Sequence, residues 1–473
     1  MHSKTKIIAT IGPASRNKET LKQMILEGVD VCRVNLSHDN HQVHLETINT
    51  VRELNKELGV HVAILADLQG PKIRLGELEN GSVEWQTNDI VEIVTEPLKG
   101  TASKVSVDYE DFASDIREGE EILIDDGKIK LVCLSTDFKK SVKSKVIYGG
   151  KVLPRKGVNL PQTKLSLPSM TEKDINDANF AIENDVDWIA LSFVRQESDI
   201  IELKQLIRRK KKKINVVAKI EKPQAIENLD EIINAADALM VARGDLGVEL
   251  DFATVPLIQK IIVERCIEKG KPVIIATQML ESMIENFRPT RAEATDVANA
   301  VLDGADTLML SGETSLGKFP ILAIKNMQQI ISFTENNRYK YNRGLPPNPL
   351  SDRFVRDGVC YSASRLAEII GAKAIVTFTE SGNTAFTISG YRPKANIFAF
   401  TPSKEILSVL SLLWGVRAFY IDLNGDFQVA IDKTIKILKK QGCLHSGDYV
   451  IHVGSIPEQV TGKTNVMKVT KID

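Results

Sequence analysis

The sequence of 473 residues is poor in the features that mark several large protein classes. Its five cysteines (Cys32, Cys133, Cys266, Cys360 and Cys443) are odd in number, scattered and never in a CxxC spacing. That argues against a disulfide framework or a zinc ribbon and for reduced thiols in a cytoplasmic protein. Charge of one sign is not in excess: 61 Lys+Arg face 62 Asp+Glu, a formal net charge of −1. No global field therefore favours nucleic acid or an anionic membrane as a partner. No apolar run reaches the roughly 18–20 residues that span a bilayer. The N-terminus, MHSKTKIIATIGPASRN, lacks the long apolar region and small-residue cleavage site of a secretory signal. A Walker A loop and a Rossmann glycine fingerprint are absent from every suitable strand–helix junction.

What is present is alternation. Apolar runs at KIIATIG (6–12), VDVCRVNLSH (29–38), HVAILADL (61–68), WIALSFV (188–194), INVVAKI (214–220), ALMVARGD (238–245), PVIIATQM (272–279) and DTLMLSG (306–312) read as strands. Amphipathic stretches around 17–27, 40–58, 171–184, 198–210, 222–235, 256–269, 291–303 and 318–335 read as helices. Start signals stand at Thr171 with Asp174, at Ser198 and at Pro223. Near-continuous apolar strands belong in a parallel sheet covered on both faces, and eight such units close a (β/α)8 barrel.

The repeat breaks once, after the third strand. Residues 71–167 carry short alternating runs (VEIVTE, EEILIDD, IKLVCLS) and turn dipeptides such as Asn80-Gly81 and Asp126-Gly127, the texture of a small inserted β domain, a barrel or a sandwich. Without it, 1–70 and 168–345 leave about 250 residues, the length of a bare barrel. After a Pro/Gly/Asn-rich boundary at 341–352, residues 346–473 predict an open-sheet α/β domain, with no tail domain beyond the last strand. About three domains suit the chain length. The basic run Arg208–Lys213 fits the solvated end of a helix better than a localisation signal.

In such barrels the active site lies at the carboxyl ends of the strands. There the sequence places Arg33, Asn35 and Ser37; Asp67, followed by Leu68-Gln69-Gly70-Pro71-Lys72-Ile73-Arg74; Lys219 and Glu221; Arg243-Gly244-Asp245; Thr277-Gln278; and Ser311-Gly312-Glu313. Any one alone reads equally well as a cap or a rim ion pair. Together they suggest one mouth. Glu221 and Asp245 suit a hard divalent ion, Mg²⁺ or Mn²⁺, and the lack of histidine among them argues against zinc. Arg33 and Arg74 offer planar forks for phosphate. Lys219 supplies a fixed charge beside the expected metal. The backbone at Gly244-Asp245 offers N–H groups for a carboxylate. These residues predict a small anion bearing phosphate and carboxylate, with phosphoryl transfer or metal-enolate chemistry, beneath an insert placed to close as a lid.

The blocks TKIIATIGPAS, CRVNLSH, LADLQGPKIR, AKIEKPQAIENLDEI, ARGDLGVEL, ATQMLESMIENFRPTRAEATDVANAVLDGAD and MLSGETSLGKFP resemble the successive signatures of the pyruvate kinases, over essentially the whole chain. The resemblance implies the same three-domain plan, a homotetramer, and transfer of the phosphoryl group of phosphoenolpyruvate to ADP, giving pyruvate and ATP. It implies that Lys219 stabilises the phosphoryl group in transit and the enolate, and that Glu221 and Asp245 hold Mg²⁺. Gly244, Asp245 and Thr277 would bind the substrate carboxylate, Arg33 its phosphoryl group, with Thr277 near the face that is protonated. Asn35, His38, Arg74 and Lys156 would contact the nucleotide, which brings a second Mg²⁺. Potassium-requiring members resemble one another in a Thr-Lys after the strand-three Asp and a Glu three residues later. Here Asn35, Ser37, Asp67 and the Leu68 carbonyl match the monovalent-cation cage, but Lys72 stands where that Glu would be. Its ammonium is expected near the cage in place of K⁺, so activity is predicted to be potassium-independent.

The stretch Thr379-Glu380-Ser381-Gly382-Asn383-Thr384 is either an ordinary helix cap or an anion nest. The resemblance implies a phosphorylated allosteric effector held by Thr379, Ser381, Gly382, Asn383 and Thr384. Two other readings compete with the kinase: a Mg²⁺-dependent enolpyruvate lyase or mutase, and a catalytically silent sugar-phosphate sensor.

Overall fold

The computed structural model describes residues 3–422, 427–455 and 464–473. Eight parallel strands close a barrel in chain order: Lys6–Thr10, Val31–Asn35, Ala63–Asp67, Trp188–Leu191, Asn215–Ile220, Ala238–Ala242, Val273–Ala276 and Thr307–Leu310. The ring shuts where Lys6 pairs with Thr307 and Ala9 with Leu310. Side chains alternate between inside and outside along each strand. Ile8, Val31, Leu65, Trp188, Ala190, Val217, Met240, Ile274 and Met309 fill the interior as one buried cluster. The outward-facing alternates pack under the helices in a larger one. The same period carries the next inward positions to the open end: Thr10, Arg33, Asp67, Ser192 and Lys219.

Helix boundaries follow local chemistry. Thr171 and Asp174 form the expected reciprocal capping box for Glu172–Glu183. Asp174 does more than cap: its Oδ1 accepts from Gly70 N at 2.9 Å, which ties the connection into the insert to this helix. Pro223 occupies the first turn as expected, but the stretch 222–235 is two helices, Pro223–Glu227 and Leu229–Ala235. Ser198 is not a cap. The helix starts at Glu197 behind Gln196, whose backbone N–H is held by Asp199 at 3.3 Å. Arg208 and Arg209 lie in its last turn, where positive charge complements the exposed carbonyls.

Between the third and fourth barrel strands, the chain builds a seven-stranded sheet and a two-stranded ribbon around one apolar core. The outgoing strand Ile73–Arg74 pairs antiparallel with the returning strand Gly157–Asn159, so the two connections to the barrel run side by side. The last part of the chain forms a five-stranded sheet, parallel except for its final strand Val466–Lys471. Val409 and Leu412 from this part join the barrel's interior cluster at its amino end. An ion pair welds the same junction: Arg392 meets Asp306 at 2.6 Å, with both side chains 2% exposed. All five cysteines are buried and unpaired. Among the described residues, no helix is long and apolar enough to cross a membrane.

Candidate active site

At the carboxyl end of the barrel, four sequence-predicted residues meet in one buried ion cluster. Lys219 Nζ lies 3.3 Å from Asp67 Oδ1 and 3.0 Å from Glu221 Oε1. It donates to Ser192 Oγ at 2.7 Å. Arg33 donates from Nε to Asp67 Oδ2 at 2.7 Å and from a terminal nitrogen to Thr10 Oγ1 at 2.9 Å. Glu221 Oε2 accepts from Phe193 N at 2.7 Å. Burial opposes every charge here, so the pairs decide the protonation states. For Lys219, burial works against the ammonium, but Asp67 and then Glu221 outweigh it and raise the pKa above the ordinary lysine value. For Asp67, burial is outweighed by Lys219 and Arg33, which hold the carboxyl below its usual value. Glu221 goes the other way: burial, reinforced by the Asp245 charge, lifts its pKa despite Lys219.

That last direction tests the metal reading. A buried carboxylate whose charge a neighbouring carboxylate disfavours is a donor that a cation relieves. Among the described residues no group of three or more His, Cys, Asp or Glu side chains gathers as a metal site. A divalent ion on Glu221 and Asp245 would therefore complete its shell with water and substrate oxygens, the habit of Mg²⁺. The residues fit it.

A second group lies beside the first. The sixth strand ends at Ala242 and turns at once into the helix Arg243–Glu249, which puts Gly244 and Asp245 in its first turn. Gly244 N does not stand free as expected; it donates to Thr277 Oγ1 at 2.8 Å. The Thr277 hydroxyl in turn donates to Ala276 O at 2.6 Å. Thr277 and Gln278 have φ of +67° and +56°. For a β-branched residue that conformation is strained, and such strain persists only where its surroundings impose it. Arg243 imposes it, donating to Thr277 O at 2.8 Å and Gln278 O at 3.3 Å while Asp296 holds its other arm at 2.8 Å.

The remaining expected residues are spread around the rim. Asn35 Oδ1 accepts from Ser37 N at 3.2 Å, and His38 is exposed. Arg74 and Lys156 sit on the paired connections to the inserted domain, where Lys156 meets Asp125 at 2.7 Å and Arg74 donates to Arg155 O at 3.1 Å. Lys72 is a correction. Its ammonium pairs with Asp245 Oδ1 at 3.5 Å rather than with Asp67 of the cage, and Gly157 of the inserted domain lies close to its Cε. Two of the cage groups have protein donors instead: Asp67 takes Arg33 and Lys219, and Leu68 O takes Ser192 Oγ at 2.7 Å.

Glu313 proves to be a loop fastener, accepting from Leu280 N at 3.0 Å and Ser311 N at 2.7 Å. At the expected effector loop, Thr379 Oγ1 accepts from Gly382 N at 2.9 Å, a local turn. Thr384 Oγ1 bonds Thr464 Oγ1 at 2.9 Å. Ser381 and Asn383 instead face a cavity of about 620 Å³, together with Lys271, Arg353 and Arg356. Ser192 was missed by the sequence reading. It continues the inward period Trp188-Ala190-Ser192, a signal that could have found it.

Two family models match the chain: "Pyruvate kinase, barrel domain" over residues 2–324 and "Pyruvate kinase, alpha/beta domain" over 357–470. The pyruvate kinase of Corynebacterium efficiens is 42% identical over 469 residues, covering 99% of this chain and 98% of that protein. The chain belongs to the pyruvate kinase family. The pyruvate kinase of Staphylococcus aureus (strain MRSA252) is also 42% identical, over 98% of this chain and 80% of its own length. The crystal structure of a pyruvate kinase from Cryptosporidium parvum superposes with a TM-score of 0.94 at 36% identity, covering all of this chain and 96% of that one. The family's reaction, conversion of phosphoenolpyruvate to pyruvate with formation of ATP, is phosphotransfer, in agreement with the chemistry of the mouth.

Proposed function

We propose that this mouth moves the phosphoryl group of phosphoenolpyruvate to ADP with Mg²⁺ held by Glu221 and Asp245. The observation that carries the reading is the buried Lys219 ammonium, held charged by Asp67 and Glu221 at the edge of the carboxylate pair. Phosphoryl transfer asks little covalent chemistry of the protein; it asks for fixed positive charge and alignment. Lys219 and Arg33 supply that charge without reorganising, since both are already anchored. The metal, when bound, would neutralise phosphate and enolate oxygens as a Lewis acid. Gly244, Asp245 and Thr277 border the carboxylate end. Asn35, His38, Arg74 and Lys156 border the side where the lid brings nucleotide, and closing the lid excludes water from an activated phosphoryl group.

Turnover without K⁺ belongs to the same proposal, on an altered footing. Asp67 is already compensated by two cations, and Lys72 adds its charge at Asp245. A homotetramer, and a phosphorylated effector held by Ser381 and Asn383 above the 620 Å³ cavity, complete it.

The test is pyruvate formation from phosphoenolpyruvate and Mg²⁺, with and without ADP, each with and without K⁺. Turnover that needs ADP but no monovalent cation is expected. A K⁺ requirement removes the role given to Lys72, and turnover without ADP points to a lyase. No turnover at all leaves the silent sensor.

A further inference from the structure

The fourth barrel strand runs out into Ser192 and Phe193, 2% and 9% exposed, at the centre of the ion cluster. A lysine ammonium can only donate, so in the 2.7 Å contact Ser192 Oγ is the acceptor from Lys219 Nζ. Its own proton then goes the other way, to Leu68 O at 2.7 Å. The hydroxyl is fixed in one orientation, a link from the carbonyl just after the third strand to the ammonium on the fifth. One residue on, Phe193 N–H donates to Glu221 Oε2 at 2.7 Å. Phe193 reaches that direction with φ of +53°, a backbone state that bulky residues adopt only under constraint.

We infer that the Ser192-Phe193 corner is a positioning element for phosphoryl transfer, in which the Ser192 hydroxyl aims the Lys219 ammonium and the Phe193 amide aims the Glu221 carboxylate. Two adjacent residues thus hold the charge that meets the phosphoryl group and the carboxylate that meets the metal in one mutual geometry. The corner also lies under the entrance to the lid. Gly70 has φ of +73°, and a Cβ there would come within 2.7 Å of Phe193 Cδ2 and 2.8 Å of Ser192 Cβ. On the returning side, Lys222 Nζ lies 5.8 Å from the centroid of the Phe193 ring. Lys222 pairs with Glu249, which accepts from the lid residue Asn159; each contact is 2.6 Å. The lid's outgoing and returning connections therefore both bear on this corner.

The inference rests on the phosphoryl transfer proposed above, and the wild-type assay with ADP tests that reaction separately. Ser192→Ala removes one atom and leaves Arg33, Glu221 and Asp245 in place. Its kcat is expected to fall on the order of 10–100-fold, the cost of a misaimed catalytic group, while KM for phosphoenolpyruvate and for Mg²⁺ stays within about threefold. Ser192→Thr returns the hydroxyl and is expected to restore kcat to within about threefold of wild type. A residue that merely packs behaves differently: kcat and KM suffer together, melting falls, and the added methyl of Thr is worse than Ala. That pattern overturns the inference. So does a Ser192→Ala enzyme whose kcat stays within about twofold of wild type.

Discussion

Thr277 sets backbone strain against function in one residue, and the conflict has a measurable size. A left-handed conformation costs an L-residue about 1–2 kcal/mol, and a β-branched side chain is among the worst placed to bear it. The Thr277 hydroxyl offsets part of that cost by accepting from Gly244 N and donating to Ala276 O, each bond being worth roughly 0.5–1.5 kcal/mol. Thr277→Ala keeps the strain and loses both bonds, so a loss of about 1–3 kcal/mol is expected. Thr277→Gly loses the same bonds but removes the strain. Glycine also has more chain entropy to lose on folding, by about 0.5–1 kcal/mol, so the Gly variant should be the more stable of the two by about 1 kcal/mol. Turnover should follow a different order. Both variants lose the hydroxyl proposed to border the substrate carboxylate and should fall together, whereas Thr277→Ser keeps it and should retain most of kcat. Urea unfolding of the three variants, in parallel with steady-state kinetics, separates the two effects. A Gly variant less stable than the Ala variant would show that the φ of +67° carries no strain. An Ala variant with wild-type kcat would remove Thr277 from the chemistry.

Arg392→Met breaks the buried pair with Asp306 and should cost about 3–5 kcal/mol, because Asp306 keeps only backbone donors at Val273 and Trp414. Adding Asp306→Asn should recover much of that loss in urea unfolding; no recovery would mean that the pair is not what is being broken. His452 is buried with no hydrogen-bond partner for either ring nitrogen among the described residues, and burial lowers its pKa to about 4. Its folded pKa lies below its unfolded value of about 6.5, so its contribution to stability is unaffected at pH 7 and erodes as pH falls through that window, by about 2 kcal/mol at pH 5. His452→Leu should flatten that part of the acid limb; an unchanged slope between pH 7 and 5 would refute the assignment. Glu249→Gln weakens the contact that joins Lys222 and Asn159, so limited proteolysis of the lid should quicken several-fold and KM for ADP should rise. Unchanged cleavage and KM would mean that this contact does not hold the lid.

The barrel was legible because its signals are local. Each strand is a short apolar run, and its inward and outward positions follow from period two alone. Capping at Thr171 and Asp174 and the proline at 223 were legible for the same reason: partner and signal lie within one turn. Ser198 was misread because Gln196 and Asp199 form an equally local alternative two residues earlier. The single long helix expected over 222–235 breaks at Asn228, whose side chain donates to Arg195 O in the loop after the fourth barrel strand.

Residue type at the strand ends was likewise enough to nominate Arg33, Asp67, Lys219, Glu221, Asp245 and Thr277, since a closed parallel barrel brings the carboxyl ends of all its strands to one end. Parity alone points Arg33, Asp67 and Lys219 inward, whereas Asp245 lies in the helix after its strand and Thr277 follows the inward Ala276. What parity cannot assign is which charge meets which. Lys72 was expected near the monovalent-cation cage, and its ammonium pairs with Asp245, with Gly157 of the inserted domain close to its stem. The Gly244 N–H and the Leu68 carbonyl looked free and are taken by hydroxyls from neighbouring strands. The inverted φ of Thr277 is imposed by Arg243, 34 residues away, and by Asp296 behind it. Sequence determines where backbone and side-chain period point a residue. Contacts between residues far apart in the chain depend on how closed strands, loops and lid come to rest against one another, and only the tertiary structure decides them.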